Sequence, residues 1–245
     1  TSVLADEQIS GFLQSHNIVS SVNSIAEKIT SKPEKKSLQV ASNTDEPVSN
    51  SLGNDNSGKC GDNVYWSYDK SSKTLTISGT GAMDNYGGEN SPWYRYREGI
   101  LTVKIKTGVT TIGEWAFYLC ESLTSVTIPN SVTTIGRSAF DSCSSLTSID
   151  VASGNLNYSS KDGVLFDKNK LTLIQYPIGN QRTEYTIPNS VTTIGECAFL
   201  NCSNLANINV ASGNLNYSSE DGVLFNKDNS ILIQYPIGNK RTEYT

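Results

Sequence analysis

The chain has 245 residues, of which 36% are hydrophobic and 18% charged, so it has enough apolar residues for a core but less charge than most soluble domains. Its net charge is −5 and its 19 lysines and arginines form no run longer than a pair, which makes nucleic acid and anionic membrane poor partners. No stretch approaches the roughly 18 consecutive apolar residues of a membrane span, so we expect no membrane insertion in this segment.

The amino-terminal 59 residues differ in composition from the rest of the chain. Apolar residues recur at helical spacing between residues 5 and 29, which predicts an amphipathic N-terminal helix. Residues 30–59 are rich in Ser, Asn, Lys, Glu and Pro, which is typical of a polar linker. The only histidine, His16, falls in the predicted helix and is interpreted as a residue of its polar face.

Residues 60–99 are predicted to form a β-rich cap. Val64 and Trp66 alternate with polar residues, and Leu75 and Ile77 alternate in the same way after a polar turn. This pattern predicts a β-hairpin with one apolar face. Such a hairpin can cover the end of a stack of repeats, whose apolar residues would otherwise face water.

From residue 100 to residue 245 the chain consists of repeats, and these decide the fold. Residues 131–186 return as residues 190–245 with 41 of 56 positions identical. A shorter period of 23 residues lies inside this duplication and follows the template L-x-x-V-x-I-x-x-x-V-x-x-I-x-x-x-A-F-x-x-C. A Leu followed by two apolar residues one position apart is the strand signature of a leucine-rich repeat. The template predicts strand centres at Val103, Val126, Ile149, Tyr185, Ile208 and Tyr244.

Two of the spacings between these strand centres are 36 residues long and therefore hold an extra element. Residues 162–177 and their copy, residues 221–236, each contain two apolar runs around a short polar turn, which indicates a β-hairpin. We therefore predict a mainly β fold of the α/β-solenoid type. It is a right-handed leucine-rich-repeat solenoid with inserted β-hairpins, an amino-terminal β cap and one continuous core.

The carboxy-terminal end has no predicted cap. Thr245 stands where the first copy continues with IPNSVTTIG, so we infer that the natural chain runs on and that the solenoid is truncated here. The strand around Tyr244 would then have an uncovered edge. Such an edge favours pairing with another chain, so we expect any dimer to form edge to edge through this last strand.

The second repeat carries the most specific set of residues in the chain: Val126, Thr127, Ile128, Pro129, Ser131, Val132, Ile135, Gly136, Ala139, Phe140 and Cys143. This set resembles the BspA-like leucine-rich repeat found in surface proteins of gut bacteria, and the resemblance spans residues 100–245. It implies a secreted or cell-surface protein that adheres to host matrix proteins, host cells or other bacteria. It assigns no binding residue for a particular ligand.

The sequence contains few residues that could carry catalysis or bind a metal. With His16 as the only histidine, no Ser-His-Asp or Cys-His site can form within the repeats, so we predict no enzyme activity and no cofactor. Cysteines and histidines lack the short spacings of a zinc site, so no metal is expected.

Three of the five cysteines recur at one position of the repeat and are predicted to be buried, reduced core residues: Cys120, Cys143 and Cys202. Two others, Cys60 and Cys197, do not follow this pattern, and their roles stay open.

The candidate binding residues are those that point outward between the two apolar residues of each strand. Because neighbouring strands stack about 4.8 Å apart, these residues are expected to form one column. Its members are small and polar, which suits a broad hydrogen-bonding contact with protein partners. They are Lys104, Thr127, Asp150, Thr186 and Asn209, with Thr245 at the end.

Two alternatives stay open. Trp93, Tyr94 and Tyr96 cluster before the first repeat and could stack on a sugar, although packing within the cap is the favoured interpretation. The chain could also be a passive spacer that holds another domain away from the cell wall and binds nothing itself.

Overall fold

The computed structural model describes residues 56–241. The predicted N-terminal helix, most of the polar linker, His16 and the strand around Tyr244 lie outside the described residues. Among the described residues, no helix is long and apolar enough to cross a membrane.

The described residues form short strands joined by turns. In chain order the strands are β1 Ser57–Lys59, β2 Val64–Asp69, β3 Thr74–Gly79, β4 Gly81–Ala82, β5 Thr102–Ile105, β6 Val109–Ile112, β7 Ser125–Ile128, β8 Thr134–Ile135, β9 Ser148–Val151, β10 Tyr158–Lys161, β11 Val164–Asp167, β12 Thr172–Gln175, β13 Glu184–Ile187, β14 Thr193–Ile194, β15 Asn207–Val210, β16 Tyr217–Glu220, β17 Val223–Asn226 and β18 Leu232–Gln234. Two 3₁₀ helices, Gly88–Asn90 and Tyr94–Gly99, lie between β4 and β5.

The predicted repeat strands form where the apolar template puts them. Five of the six predicted strand centres lie in β5, β7, β9, β13 and β15. In β7 the alternation is visible directly, because Val126 and Ile128 are buried while Thr127 between them is exposed. The sixth centre, Tyr244, lies outside the described residues. We call each of these strands, together with the turns that lead to the next one, a rung.

The cap and the first rungs share one sheet. β1, β2 and β3 pair in antiparallel fashion, and β3 then pairs in parallel with β5, which continues to β7 and β9. The cap hairpin is therefore the first layer of the same stack, and Leu75 and Ile77 of β3 are buried as predicted. A second small sheet of β4, β6 and β8 runs along the other side of the first rungs.

The side of each rung opposite its strand is a turn segment with an unusual backbone. Residues at two equivalent positions of each segment have positive φ although none of them is glycine: Trp115, Leu119, Ser138, Ser142, Cys197 and Asn201. Neighbouring segments are bonded through their backbones, because the N–H groups of residues 115, 117 and 119 donate to the carbonyls of residues 137, 139 and 141 at 2.8–3.1 Å.

Each long repeat contains a three-stranded antiparallel meander instead of a two-stranded hairpin. β11 and β12 are the predicted hairpin, and β10 pairs with the other edge of β11. The second copy repeats this arrangement with β16, β17 and β18. β12 then pairs in parallel with β14 of the following rung, so the first meander and β14 form one four-stranded sheet.

The prediction of one continuous core is wrong, because the meander divides the core in two. β11 is buried on both faces. Leu165 packs with the core of the cap and the first rungs, whereas Val164 and Phe166 pack with the core of the later rungs. Alternate residues of a strand point to opposite faces, so a strand that lies between two apolar layers must be apolar throughout. In the second copy, Leu224 of β17 packs onto the second core in the same way.

The meander also interrupts the sheet of repeat strands. β9 has no strand partner on its far edge in the described structure, and β13 pairs only with β15. The tip of the meander takes the vacant side of β9, because the Ile149 N–H donates to the Gly163 carbonyl at 2.9 Å and the Val151 N–H donates to Ser160 Oγ at 3.0 Å. Gly163 has φ of +81°, and a Cβ there would lie 3.0 Å from Ser148 Cβ.

The second meander is more open than the first. Leu232 of β18 is 44% exposed, whereas its counterpart Leu173 of β12 is fully buried. The first meander is covered by β14, which pairs with β12. The edge-to-edge dimer stays a prediction, since its strand lies outside the described residues.

A buried asparagine anchors the start of each meander. Asn155 is fully buried, and its side-chain amide donates to the carbonyls of Pro129 and Val132 at 2.8 and 2.9 Å. Its Oδ1 accepts the N–H groups of Asn157 and Tyr158, both at 2.8 Å. Asn214 makes the equivalent bonds in the second copy. One side chain thus satisfies four backbone groups and ties the meander to the preceding rung.

Replacing Asn155 with Ala should lower the free energy of unfolding by about 2–4 kcal/mol, because it leaves buried backbone groups without partners. Equilibrium unfolding in urea measures this. Asn157→Ala is the matched control, since Asn157 is exposed two positions away, and it should change stability by less than about 0.5 kcal/mol. Equal losses in the two variants would contradict the anchoring role.

Candidate binding surface

The outward residues of the first repeat strands lie side by side. Lys104 is opposite Thr127, which is opposite Asp150, and all three side chains are exposed. The cap extends this column by one position, because Thr76 of β3 is opposite Lys104. We call the surface formed by the outward residues of β5, β7 and β9 the first ladder face.

The first ladder face is shallow and carries basic groups near its start. A cavity of about 270 Å³ lies over β5 and β7 and is lined by Lys104, Lys106, Ser125 and Thr127, among others. Further along, Ser148 Oγ donates to a carboxylate oxygen of Asp150 at 3.1 Å. The face therefore offers ammonium, hydroxyl and carboxylate groups from adjacent strands, without a deep pocket.

The other two predicted residues form a separate group. Thr186 is exposed and lies opposite Asn209, which is half-buried. We call the outward residues of β13 and β15 the second ladder face. The predicted single column is wrong, because the tip of the meander lies between β9 and β13. The structure brings together Lys104, Thr127 and Asp150, and separately Thr186 and Asn209.

The meander tip contributes charged groups next to the second ladder face. A cavity of about 440 Å³ is lined by Lys161 and Asp162 of the tip and by Arg182, Glu184 and Thr186, among others. Arg182 also donates from Nη1 to the Asp162 carbonyl at 3.1 Å, which holds the tip against the start of β13. These residues were not predicted as site residues, because the apolar pattern of a hairpin does not show whether its tip reaches the ladder.

Of the three aromatic residues before the first rung, Trp93 lies in the core, while Tyr94 and Tyr96 are half-buried. Trp93 is fully buried, donates from Nε1 to the Ala116 carbonyl at 2.8 Å, and stacks on Phe117 with 5.8 Å between ring centroids. Tyr96 is half-buried and stacks on Tyr68 at 4.8 Å. The carbohydrate hypothesis is therefore wrong for Trp93, whose ring faces are taken up by the core.

The remaining tyrosine of that cluster is partly covered as well. Tyr94 is half-buried, and the Arg97 guanidinium lies over its ring at 4.2 Å from the centroid. The favoured interpretation, packing within the cap, describes what these aromatic side chains do.

The three recurring cysteines are buried and free, as predicted. The Cys143 thiol lies 3.1 Å from the Phe117 carbonyl, to which it donates. Burial raises the pKa of Cys120 and of Cys202 to about 12. Cys60 is also buried, and burial raises its pKa to about 12. Cys197 is the exposed one among the five.

Chemistry other than binding finds little support in the described residues. No group of three or more His, Cys, Asp or Glu side chains comes together there in a way that could hold a metal ion. Most of the thiols are buried and protonated at neutral pH, so they are poor nucleophiles.

Sequence reasoning missed the buried asparagines and the third strand of each meander. A usable signal existed for the asparagines, because Asn155 and Asn214 stand at the same position of an unchanged ten-residue stretch in both copies. An asparagine kept among apolar neighbours is often a buried hydrogen-bonding residue. β10 and β16 gave no such signal, since YSSK and YSSE lack apolar alternation.

Comparison with known proteins identifies the repeats. A family model described as BspA type leucine-rich repeat region matches residues 93–181 and 179–237, in six copies. No curated protein sequence matches the chain.

The chain is similar to several solved structures of leucine-rich-repeat proteins. One from Eubacterium ventriosum is 27% identical, with 64% of this chain and 60% of that one covered and a TM-score of 0.34. One from Bacteroides ovatus is 25% identical, with 61% and 40% covered and a TM-score of 0.30. A leucine-rich cell surface protein from Faecalibacterium prausnitzii is 16% identical, with 60% and 75% covered and a TM-score of 0.32. The chain thus spans about 60% of the Eubacterium protein.

In the folded protein at pH 8, a thiol reagent should modify Cys197 rapidly and the other four cysteines only after unfolding. The reason is that the others are buried and, with a pKa near 12 in Cys60, Cys120 and Cys202, are almost entirely protonated at this pH. Stopped-flow absorbance with an aromatic disulfide counts the fast thiols. Cys197→Ser should abolish the fast phase, and a fast phase that survives in this variant would show that a predicted core thiol is accessible.

Proposed function

Since the chain belongs to the BspA-type leucine-rich-repeat family, we propose that it is a non-catalytic binding module of a secreted or cell-surface protein and that it contacts other proteins through its first ladder face. The proposed partners are host matrix proteins, proteins on host cells or surface proteins of other bacteria. The single observation that carries the proposal is the register of Lys104, Thr127 and Asp150 on three adjacent strands.

The geometry of the first ladder face favours a broad contact over a small-molecule site. Adjacent strands lie about 4.8 Å apart, so three outward residues offer an evenly spaced row of hydrogen-bonding groups. The cavity beside them is shallow and is lined by polar and charged side chains as well as apolar ones. Small-molecule sites are usually deeper and mostly apolar. A flat polar surface binds weakly per contact, and several such surfaces in one protein gain strength from multivalency.

The charges of the face suggest which partners fit. Lys104 and Lys106 at its start would attract acidic groups, and Asp150 at its end would attract basic ones. A protein surface with charges of both signs can match this gradient. A glycan without charge would use only the hydroxyl groups between them, and the aromatic ring best suited to a sugar, Trp93, is buried.

Thr127→Arg should abolish or weaken roughly tenfold the binding of the protein to whichever partner it recognises, because a long charged side chain in the middle of the row blocks close approach. Binding is measured by surface plasmon resonance against a panel of matrix proteins and by flow cytometry on host and bacterial cells. Thr107→Arg is the matched control, because it adds the same side chain at an exposed turn beyond β5.

Three outcomes decide between the functions. Binding that is lost in Thr127→Arg and kept in Thr107→Arg supports the proposal. Binding that both variants keep would move the contact to another face. No binding to any protein or cell in the panel would overturn the proposal and favour a passive spacer.

A further inference from the structure

The turn segments of the first two rungs are joined by a row of backbone hydrogen bonds. The N–H groups of Trp115, Phe117 and Leu119 donate to carbonyls of the second rung, namely those of residues 137, 139 and 141. The spacing is that of alternate residues, as in a strand pair, even though both segments consist of turns. These three N–H groups thus show which acceptor fits a turn segment of this fold: alternate carbonyls of a neighbouring chain segment.

The three N–H groups at the equivalent positions of the second rung lack such an acceptor. Within residues 56–241, the N–H groups of Ser138, Phe140 and Ser142 donate to no carbonyl or side chain. The reason is the meander, which takes the place of the next turn segment. Its Tyr176 donates its own N–H forward, to the Ala198 carbonyl at 2.9 Å. The row of stacked rings is divided at the same place. Phe117 stacks on Phe140 at 5.6 Å before the meander, and Tyr176 of the meander packs forward on Phe199 at 5.7 Å.

An open cleft remains beside the meander, between the turn segment of the second rung and that of the rung of β13. It has a volume of about 190 Å³ and is lined by residues 135–141 on one side and by Gly195, Glu196 and Cys197 on the other. Leu165 and Ile174 of the meander contribute apolar side chains to it. At its rim, Arg137 Nη2 lies 3.4 Å from Glu196 Oε1, and this ion pair links the two sides. We call this space the seam cleft.

We propose that the seam cleft binds an extended peptide segment of a partner protein, whose alternate carbonyls accept the N–H groups of Ser138 and Phe140 in the cleft and of Ser142 just beyond its lining. This site lies on the side of the rungs opposite the ladder faces, and it does not depend on the function proposed for them. Recognition through main-chain hydrogen bonds at an open edge is a common way of binding peptides.

The chemistry of the cleft argues for a neutral peptide over an anion. Arg137 is balanced by Glu196, and Asp141 adds a further carboxylate to the lining. A carboxylate or phosphate would therefore meet negative charge beside the N–H row, whereas a peptide carbonyl brings no net charge. The volume also limits the side chains of the occupant to small ones. The turn segment of the second rung gives an example, because the carbonyl that accepts the Phe117 N–H belongs to Ala139, a small apolar residue.

The test uses the ¹⁵N-labelled protein and acetyl-Ala-Ala-Ala-amide as the probe, followed by two-dimensional NMR. The amide signals of Ser138, Phe140 and Ser142 should move downfield and saturate. Those of Trp115, Phe117 and Leu119 should stay in place, because these N–H groups already donate to carbonyls of the second rung. Modification of Cys197 with N-phenylmaleimide should remove these shifts or weaken binding at least roughly tenfold, because the added ring occupies the cleft. Cys197→Ser, left unmodified, should bind the peptide like the wild type.

Parallel titrations with acetate and with N-acetylglucosamine decide between ligand classes. Shifts of the three amides with acetate but not with the peptide would overturn the proposal in favour of an anion site. Absence of shifts with the peptide up to its solubility limit would also overturn it. Thr127→Arg should respond to the peptide like the wild type, so failure of the ladder-face proposal and failure of this one remain distinguishable.

Discussion

The structure depends on one constraint: each rung completes its backbone hydrogen bonds on the rung that follows it. In the middle of the stack each edge of a strand carries both donors and acceptors, whereas a turn segment has its N–H groups on one edge and its carbonyls on the other. Buried backbone groups without partners are costly on either side. Where one rung follows another directly, the strands and the turn segments both meet this requirement. Where the meander takes the place of a rung, the strand side and the turn side differ in whether their N–H groups find new acceptors. On the strand side, Gly163 and Ser160 supply acceptors for β9. On the turn side no residue of the described range 56–241 replaces the missing carbonyls, and the seam cleft remains.

The division of the core follows from the same insertion. A meander that reaches from the ladder side to β14 must cross the apolar interior, and β11 is the strand that does so. Its three consecutive buried residues, Val164, Leu165 and Phe166, serve two cores at once. Asn155 fixes the point of entry by satisfying backbone groups of the rung behind it and of the loop ahead of it. Because both elements are duplicated with the 59-residue unit, the second core is closed by Leu224 just as the first is closed by Leu165.

The apolar template predicted the repeat strands well, because each depends on a local alternation such as that of Val126, Thr127 and Ile128. It could not predict their continuity, which depends on what lies between β9 and β13. The run VLF was recognised as a strand, but an apolar run does not show whether its two faces belong to one core or to two. Trp93 was ambiguous for a related reason, since an indole in an aromatic cluster has the same sequence signature whether it packs inward or faces water. The sequence therefore predicted which residues lie between the apolar positions of the strands, but not their arrangement: three of them share a face and two lie beyond the meander. That these residues bind a partner stays a prediction.

The most direct measurement is amide hydrogen exchange resolved by NMR in the folded protein. The hydrogen-bond pattern predicts strong protection of Ile149, whose N–H is held by the meander tip, and of Trp115, Phe117 and Leu119, which are bonded to the next turn segment. Much faster exchange is expected at the equivalent positions Ser138, Phe140 and Ser142, whose N–H groups have no acceptor among the described residues. Equal protection of the two sets of turn amides would show that the second rung finds acceptors of its own and would contradict the account. Rapid exchange at Ile149 would contradict the claim that the meander completes the ladder side.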